Sequence, residues 1–345
     1  MAPYSISPGR CGYRYGASSG SPCERLPTPP QRQRTPAMRV SVCVISYRRP
    51  EELARLLAGM NQLTFERTPA PDLEILVVDN DPEQSAAAVC SAARAQLKWP
   101  LRYELEPRRG IPYARNTAVR SVIDRADFVA FLDDDEVPDP RWLDELLYVQ
   151  DLQDADVVAG PVLPHFVGLA PTWVKRGGFF DRTRHSTGSR LTVARTGNVL
   201  VRIRVFHQMD PLFDERLALT GGSDTHFFLR VSQTGYKLVW ADEAIVREWL
   251  PESRLTARYV LQRGFRIGNT RGICERDLGG SRGPRTVGSL RAVWWIAKGV
   301  GLLPVSLFRG AHAIIKSVWS VCMGAGYFAG RVGLHFEEYR TPDGG

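Results

Sequence analysis

Between residues 39 and 150 the apolar positions follow two different periods. VSVCVIS (40–46), LEILVVDN (73–80), LRYELE (101–106) and DFVAFL (127–132) are short, nearly continuous apolar runs. PEELARLLAGM (50–60), EQSAAAVCSAARAQL (83–97), PYARNTAVRSVI (112–123) and PRWLDELLYVQ (140–150) instead repeat their apolar residues every three to four positions. The first set reads as strands buried on both faces and the second as amphipathic helices. Their strict alternation predicts an α/β fold, an open and mostly parallel sheet flanked by helices, and such sheets bind ligands outside the carboxyl ends of their strands. Four polar segments are expected to converge there: Ser46-Tyr47-Arg48-Arg49, Asp79-Asn80-Asp81, Arg108-Arg109-Gly110 and the run Asp133-Asp134-Asp135-Glu136.

Carboxylates a few ångströms apart repel by roughly 1 kcal/mol per pair in water and by more where the site is partly dry. Two readings account for the acidic run. It can be a polar turn that ends a strand and starts a helix near Pro140, where acidic residues sit well. Or it can be a cation site, two carboxylates holding Mg²⁺ or Mn²⁺ that in turn carries a phosphate-bearing ligand. No Gly-x-Gly-x-x-Gly follows the first strand and no Gly-Lys-Ser/Thr loop occurs. Dinucleotide dehydrogenases and P-loop NTPases are therefore disfavoured.

Composition divides the 345 residues into three parts. Residues 1–37 are rich in Pro, Ser, Gly and Arg and lack hydrophobic periodicity or a secretory apolar segment, so they are expected to be a disordered extension. Met38 stands directly before the first strand and is the expected native start. The α/β domain is expected over 38–250, followed by a basic, apolar helical region over 251–345. Residues 1–38 carry five Arg against one Glu, residues 39–249 carry 26 basic against 30 acidic, and residues 250–345 carry 14 basic against six acidic. A nucleic-acid binder would carry its positive charge on the folded core, and here the core is mildly acidic, so no nucleic-acid partner is expected. The six cysteines form no close pair and no Cys-x-x-Cys, which fits a reducing, cytoplasmic setting without structural zinc.

The order of motifs resembles the family 2 glycosyltransferases with the GT-A nucleotide-sugar-binding fold, and among them the bacterial exopolysaccharide (succinoglycan-biosynthesis) type. VSVCVISYRRP (40–50) resembles the family's opening strand and turn, LVVDN (76–80) its nucleotide-contacting strand, and RRGIPYARNTAV (108–119) its Arg-Asn helix start. FLDDDEVPDPRWL (131–143) resembles its Asp-x-Asp segment and GGSDTHFFLRVSQTGYKLVW (221–240) its catalytic Glu-Asp segment. The resemblance implies that Asp133 and Asp135 hold a divalent cation, Mn²⁺ or Mg²⁺, that neutralises the diphosphate leaving group. It places Ser46, Arg48, Asp79, Arg115 and Asp134 on the donor-nucleotide side, with Asp79 accepting from the base, and Asp134 and Glu136 orienting the shell or pointing into the adjoining turn. Arg115 can equally be a salt bridge that ties its helix to the acidic crevice. Asp224 is implied as the base that deprotonates the acceptor hydroxyl in an inverting transfer, against its reading as a helix N-cap. The sequence departs from the pattern at Ser223, where a Glu is usual. His226 can add a ligand or an acceptor contact, against its reading as a structural histidine in the first turn of a helix. Glu248 falls where relatives carry a metal-side or acceptor-side residue, and Arg254, Arg263 and Arg266 can embrace a diphosphate or form a solvated basic face.

In the tail, VWWIAKGVGLLPVSLF and AIIKSVWSVCMGAGYFAG are apolar runs broken by Lys298, Pro304, Arg309 and Lys316, and the uncharged stretch 317–330 has 14 residues. That is short for a membrane span, so Trp294, Trp295 and Trp319 among basic residues suggest an in-plane amphipathic anchor on an anionic inner leaflet, with a helical lid on the core as the other reading. Together these expectations describe a peripheral inner-membrane enzyme that moves one sugar from a nucleotide-sugar donor to a glycan acceptor, lipid-linked, in cell-surface polysaccharide synthesis. The rival readings are transfer to a small molecule or protein, and a catalytically degenerate, membrane-binding member of the fold.

Overall fold

The computed structural model describes residues 37–279 and 285–337. The expected disorder of the N-terminal extension falls, apart from Ala37, outside the described residues. Four strands, β1 (Arg39–Ser46), β2 (Asp72–Asp79), β3 (Leu101–Leu105) and β4 (Phe128–Asp133), alternate with α1 (Pro50–Met60), α2 (Ala87–Arg94) and α3 (Ile111–Val122), and α4 (Trp142–Gln153) follows. β1 lies between β2 and β4 with all three parallel, and β3 continues the sheet beyond β2. Alternate residues of a parallel strand face opposite helix layers, which is why these strands read as unbroken apolar runs. Val40, Val42 and Val44 of β1 join Leu53 and Leu57 of α1 and Trp142 of α4 in one core, while Cys43 faces the other with Ala114 and Ala118 of α3.

Past α4 the pattern becomes too short to read. β6 (Val157–Ala159), β8 (Val199–Arg202) and β9 (Leu238–Trp240) have three or four residues each, yet they complete a seven-stranded sheet of order β3-β2-β1-β4-β8-β6-β9 in which β8 runs antiparallel to both neighbours. A second sheet, β5-β10-β7, is formed by β5 (Glu136–Pro138), β7 (Val162–Phe166) and β10 (Val246–Leu250) and stands over the carboxyl end of β4. Two short helices, α5 (Thr172–Gly177) and α6 (Ile203–Gln208), and the longer α7 (Ser223–Gln233) complete this part. α2 is shorter than the expected 83–97, because Asp79 Oδ2 accepts the Ala86 backbone N–H at 2.8 Å and Gln84 adopts φ 60°, which commits 81–86 to a turn.

Three long helices end the described chain: α8 (Ala257–Leu278), α9 (Arg285–Leu307) and α10 (Ala311–Arg331). Gly264, Gly268 and Gly272 recur every fourth position along α8 and face Trp319, Met323 and Tyr327 of α10, while Gly326 and Gly330 of α10 face the main chain of Phe265 and Asn269. A Cβ at Gly268 or Gly326 would collide with the opposing backbone, so the two helices meet main chain to main chain. α9 packs on the other side of α10 and leaves most of its surface uncovered. Its stretch Leu290–Leu307, 18 residues with mean hydropathy 1.2 and only 17% buried, is long and apolar enough to cross a membrane.

Candidate active site

The sheet brings the acidic run to the carboxyl end of β4. Asp133 is the last residue of the strand, and Glu136 opens β5 and accepts the Asp133 backbone N–H at 3.0 Å. This turn gives the four acids different environments. Asp133 keeps 44% of its side chain open to the crevice, whereas Asp134 and Asp135 keep 7% and 10%. Asp134 Oδ2 accepts from Ser46 Oγ at 3.2 Å and from the Tyr47 N–H at 3.4 Å. Arg49 Nη1 is shared between Asp134 Oδ1 at 3.0 Å and Asp135 Oδ2 at 3.1 Å, and Arg254 Nη1 adds a second bond to Asp135 Oδ2 at 2.9 Å.

Burial pushes the Asp134 carboxyl up to about 7; Arg49 opposes the rise, and the neighbouring charges of Asp135 and Asp133 add to it. Asp133 is also raised, first because the protein walls displace water from it despite its open face, and then by Asp135 and Asp224, with Arg115 opposing. Glu136 is fully enclosed and raised well above the carboxylate range by burial and by Asp133, and its Oε1 has no hydrogen-bond partner among the described residues.

These features suit a divalent cation. Among the described residues no third Asp, Glu, His or Cys converges to form a complete protein cage. Mg²⁺ and comparable hard ions use one or two carboxylates and take their remaining ligands from phosphate and water. Asp133, open to the crevice, and Asp135, whose Oδ2 is shared by Arg49 and Arg254, would be that pair, and a cation there would favour the ionised form of carboxyl groups that burial raises.

On the expected nucleotide side, Arg48 adopts a left-handed φ of 54°, rare for a side chain of this size, and its guanidinium reaches Asp81 at 3.2 Å and Glu83 at 2.9 Å. Asp79 has no exposed surface. Its oxygens accept from the backbone N–H groups of Asp81 and Ala86 at 3.0 and 2.8 Å and from Tyr103 Oη at 3.1 Å, so in this conformation the carboxylate builds the loop after β2. Asn80 fastens the next loop, donating to the carbonyls of Glu106 and Arg108 and accepting from the Gly110 N–H at 2.8 Å. Tyr47 lies between these loops with the guanidinium groups of Arg48 and Arg109 over its ring at 5.5 and 5.3 Å.

The opposite wall is the start of α7. Gly222, at φ 82°, turns the chain into the helix against Thr270 of α8. Ser223 is buried, and the half-exposed Asp224 accepts the Thr225 N–H on Oδ1 at 2.7 Å. Arg115, buried in α3, joins the two walls: Nη1 donates to Ser223 Oγ at 3.1 Å and Nη2 stands 3.6 Å from Asp133 Oδ1. This is the geometry of the salt-bridge reading of Arg115, a helix tied to the acidic crevice by a guanidinium beside the expected cation ligand. His226 is buried, with neither ring nitrogen hydrogen-bonded among the described residues, and burial lowers its pKa, as a neutral structural histidine requires.

A basic wall completes the crevice. Arg182 holds Glu248 at 2.7 Å, and Arg254 lies 3.5 Å from the other Glu248 oxygen. Burial opposes ionisation of Glu248, but Arg182, Arg263 and Arg254 outweigh it and lower its pKa. Arg263 is pushed down to about 10 by burial, against the pull of Glu248. Arg195, open to solvent, is lowered first by surrounding protein and then by Arg182, with Arg271 and Arg266 adding and Asp224 opposing. Sequence reasoning placed Arg49 among the converging strand ends without giving it a role, and it passed over Arg182 and Arg195. Arg49 had a readable signal, since two arginines directly after a strand must diverge and one of them faces the acids. Arg182 and Arg195 lie in irregular segments without periodicity.

A family model described as glycosyl transferase family 2 matches residues 41–209. The chain is 33% identical over 313 residues to the succinoglycan biosynthesis protein ExoM of Rhizobium meliloti, covering 88% of this chain and 96% of that protein. It is 28% identical to the glycosyltransferase AglE of Haloferax volcanii over 60% of this chain and 65% of that one. Among solved structures, the mannosyltransferase PcManGT from Pyrobaculum calidifontis, in complex with GDP-Man and Mn²⁺, superposes with a TM-score of 0.57 at 14% identity, covering 85% of this chain and 88% of that one.

Proposed function

The chain belongs to glycosyl transferase family 2, and from that premise we propose that it transfers one sugar, with inversion, from a nucleotide-sugar donor to a hydroxyl of a lipid-linked glycan in cell-surface polysaccharide synthesis. The observation that carries this reading is the Arg115 bridge, which holds the donor-side acid Asp133 and the α7 start bearing Asp224 in one crevice. Asp224 takes the proton of the acceptor hydroxyl as its oxygen bonds to the anomeric carbon. The bond from that carbon to the diphosphate breaks on the opposite face, and the nucleoside diphosphate leaves with the electron pair. Arg115 and the guanidinium groups of the basic wall offset the charge that develops on the leaving group. Asp133 and Asp135 would hold Mn²⁺ or Mg²⁺, which supplies further neutralisation of the diphosphate when bound. The presence of GDP-Man and Mn²⁺ in PcManGT supports a cation-assisted nucleotide-sugar site.

The relative named for succinoglycan biosynthesis supports the polysaccharide setting. The exposed apolar surface of α9 beside the cations of the tail supports peripheral attachment to an anionic membrane face, which for a cytoplasmic enzyme is the inner one.

A thermal-shift screen of UDP, GDP, dTDP and CDP with and without Mn²⁺ tests the reading. One nucleotide should stabilise the protein only with metal, and Asp133→Asn or Asp135→Asn should abolish the effect. A folded protein that no nucleotide stabilises in the presence of Mn²⁺ would overturn it.

A further inference from the structure

Thr225, whose backbone N–H binds Asp224, also lines a cavity of about 560 Å³ formed by α7, α8, α9 and α10. Its volume is that of a small-molecule site. Leu229, Leu278, Trp294 and Trp295 give it an apolar wall, and Arg271 and Tyr327 put polar groups into that wall.

Neither polar group has an oxygen or nitrogen acceptor among the described residues. Among the described residues, the hydrogen-bond partner of Arg271 is the Met323 sulfur at 3.7 Å, a weak acceptor. Glu275, the carboxylate in the cavity lining, stands 3.7 Å from both Arg291 and Arg331. Surrounding protein lowers the Arg271 pKa, and no counter-charge among the described residues opposes it. Tyr327 is 4% exposed, and its hydroxyl has no hydrogen-bond partner among the described residues. A guanidinium and a buried phenol without oxygen or nitrogen acceptors, set in an apolar wall, specify an anion that carries a hydrocarbon chain.

We propose that this cavity binds the phosphate and the first hydrocarbon units of the lipid that carries the acceptor glycan, with Arg271 and Tyr327 as phosphate donors. The assignment rests on the lipid-linked acceptor of the proposed function. The exposed stripe of α9 meets the cavity at Trp294, which belongs to both, and continues through Leu302, Leu303 and Leu307, giving the rest of the chain an apolar exit. Thr270, next to Arg271, touches Gly222 at the start of α7, so the phosphate site and Asp224 flank the same helical turn. An acceptor that reaches both at once has only a few sugars between its phosphate and its reactive hydroxyl.

The test titrates the full-length protein with geranylgeranyl diphosphate, following tryptophan fluorescence, with inorganic diphosphate and geranylgeraniol in parallel. Geranylgeranyl diphosphate should saturate the protein with nucleotide already bound, and each half-ligand should bind at least about 10-fold more weakly. Arg271→Gln should weaken binding roughly 10- to 100-fold, as expected for loss of a charge-assisted hydrogen bond, with partial recovery in Arg271→Lys. Metal-dependent nucleotide binding by each variant verifies its fold. Equal binding by Arg271→Gln and the unaltered protein overturns the assignment, and so does inorganic diphosphate binding as tightly as the lipid. Sugar transfer separates the site from the reading beneath it. If the enzyme uses a lipid-linked glycan and the same glycan freed of its lipid equally well, the lipid-linked reading falls and the site falls with it. If the lipid is required and Arg271→Gln keeps the acceptor KM, the site alone falls.

Discussion

Arg115 and Ser223, 108 positions apart in sequence, meet through an Nη1–Oγ hydrogen bond of 3.1 Å. The small hydroxyl at 223 leaves Arg115 free to reach Asp133 with its other nitrogen, 3.6 Å away. Removing the guanidinium should therefore cost more than removing the hydroxyl. Arg115→Met should lower kcat/KM by about 10- to 100-fold, the loss of a charge-assisted contact, and Ser223→Ala by less than about 10-fold. Steady-state kinetics on both variants and on the double variant check this, and the double variant should be little worse than Arg115→Met alone.

Asp224→Asn keeps the shape of the α7 start but cannot take a proton. We expect kcat to fall by about 10²- to 10⁴-fold while metal-dependent nucleotide binding persists, because Asp224 acts on the acceptor. Calorimetric nucleotide titration beside a sugar-transfer assay reads both quantities, and a proportional loss of nucleotide affinity would move Asp224 to the donor side.

Glu106 offers a pH test away from the cation site. Arg108 holds its carboxyl down to about 2, against burial, and Thr117 Oγ1 adds a bond of 2.7 Å. Because the folded value lies below the ordinary 4.5, Glu106 contributes stability above that pH and loses it as pH falls toward 2. Relative to Glu106→Gln, the natural protein should be more stable by about 2 kcal/mol at pH 7, a figure discounted for the exposed Arg108, and the gap should narrow steadily below about pH 4.5. Urea unfolding at pH 7, 5 and 3 measures it, and a pH-independent gap contradicts the assignment.

Two glycines should respond in opposite directions to the same substitution. Gly268→Ala drives a methyl into the Met323 main chain and should cost about 1–3 kcal/mol, whereas Gly301→Ala, with nothing within 4 Å of the new methyl, should gain about 0.5–1 kcal/mol of helix stability. Thermal unfolding of the pair tests the α8–α10 contact without touching the crevice.

Membrane attachment is checked by sedimentation with vesicles. The protein should bind vesicles rich in anionic lipid in a salt-sensitive way, and Leu303→Glu with Leu307→Glu should weaken binding by at least about 10-fold. Equal binding by the natural and doubly substituted proteins would place the contact elsewhere.

What the sequence disclosed follows physical range. β1 and α1 appear within a residue of their expected bounds, because a buried parallel strand and an amphipathic helix each write their environment into local period. The crevice was legible because strand ends in such a sheet must gather on one edge. Asp79 shows where this stops: its position was readable, but the three donors that enclose it come from Asp81, Ala86 and Tyr103 and depend on how the loop closes. β5 was hidden because its first residue, Glu136, is an acid buried without a counter-charge hydrogen-bonded to it, contrary to any hydropathy pattern. Gly264, Gly268 and Gly272 did carry a period of four, the mark of close helix contact, and it was passed over among the surrounding arginines.

The α8–α10 seam has a mechanical consequence. Side chains that interdigitate can shift rotamers and let two helices slide, but opposed main chains have no such slack. Arg263 and Arg266 of the basic wall lie on the helix that is seamed to α10, and α10 in turn carries α9. Load applied to the apolar stripe should therefore pass to α8 with little slack, so a surface that fixed the tilt of α9 would also fix the angle at which the proposed crevice is presented.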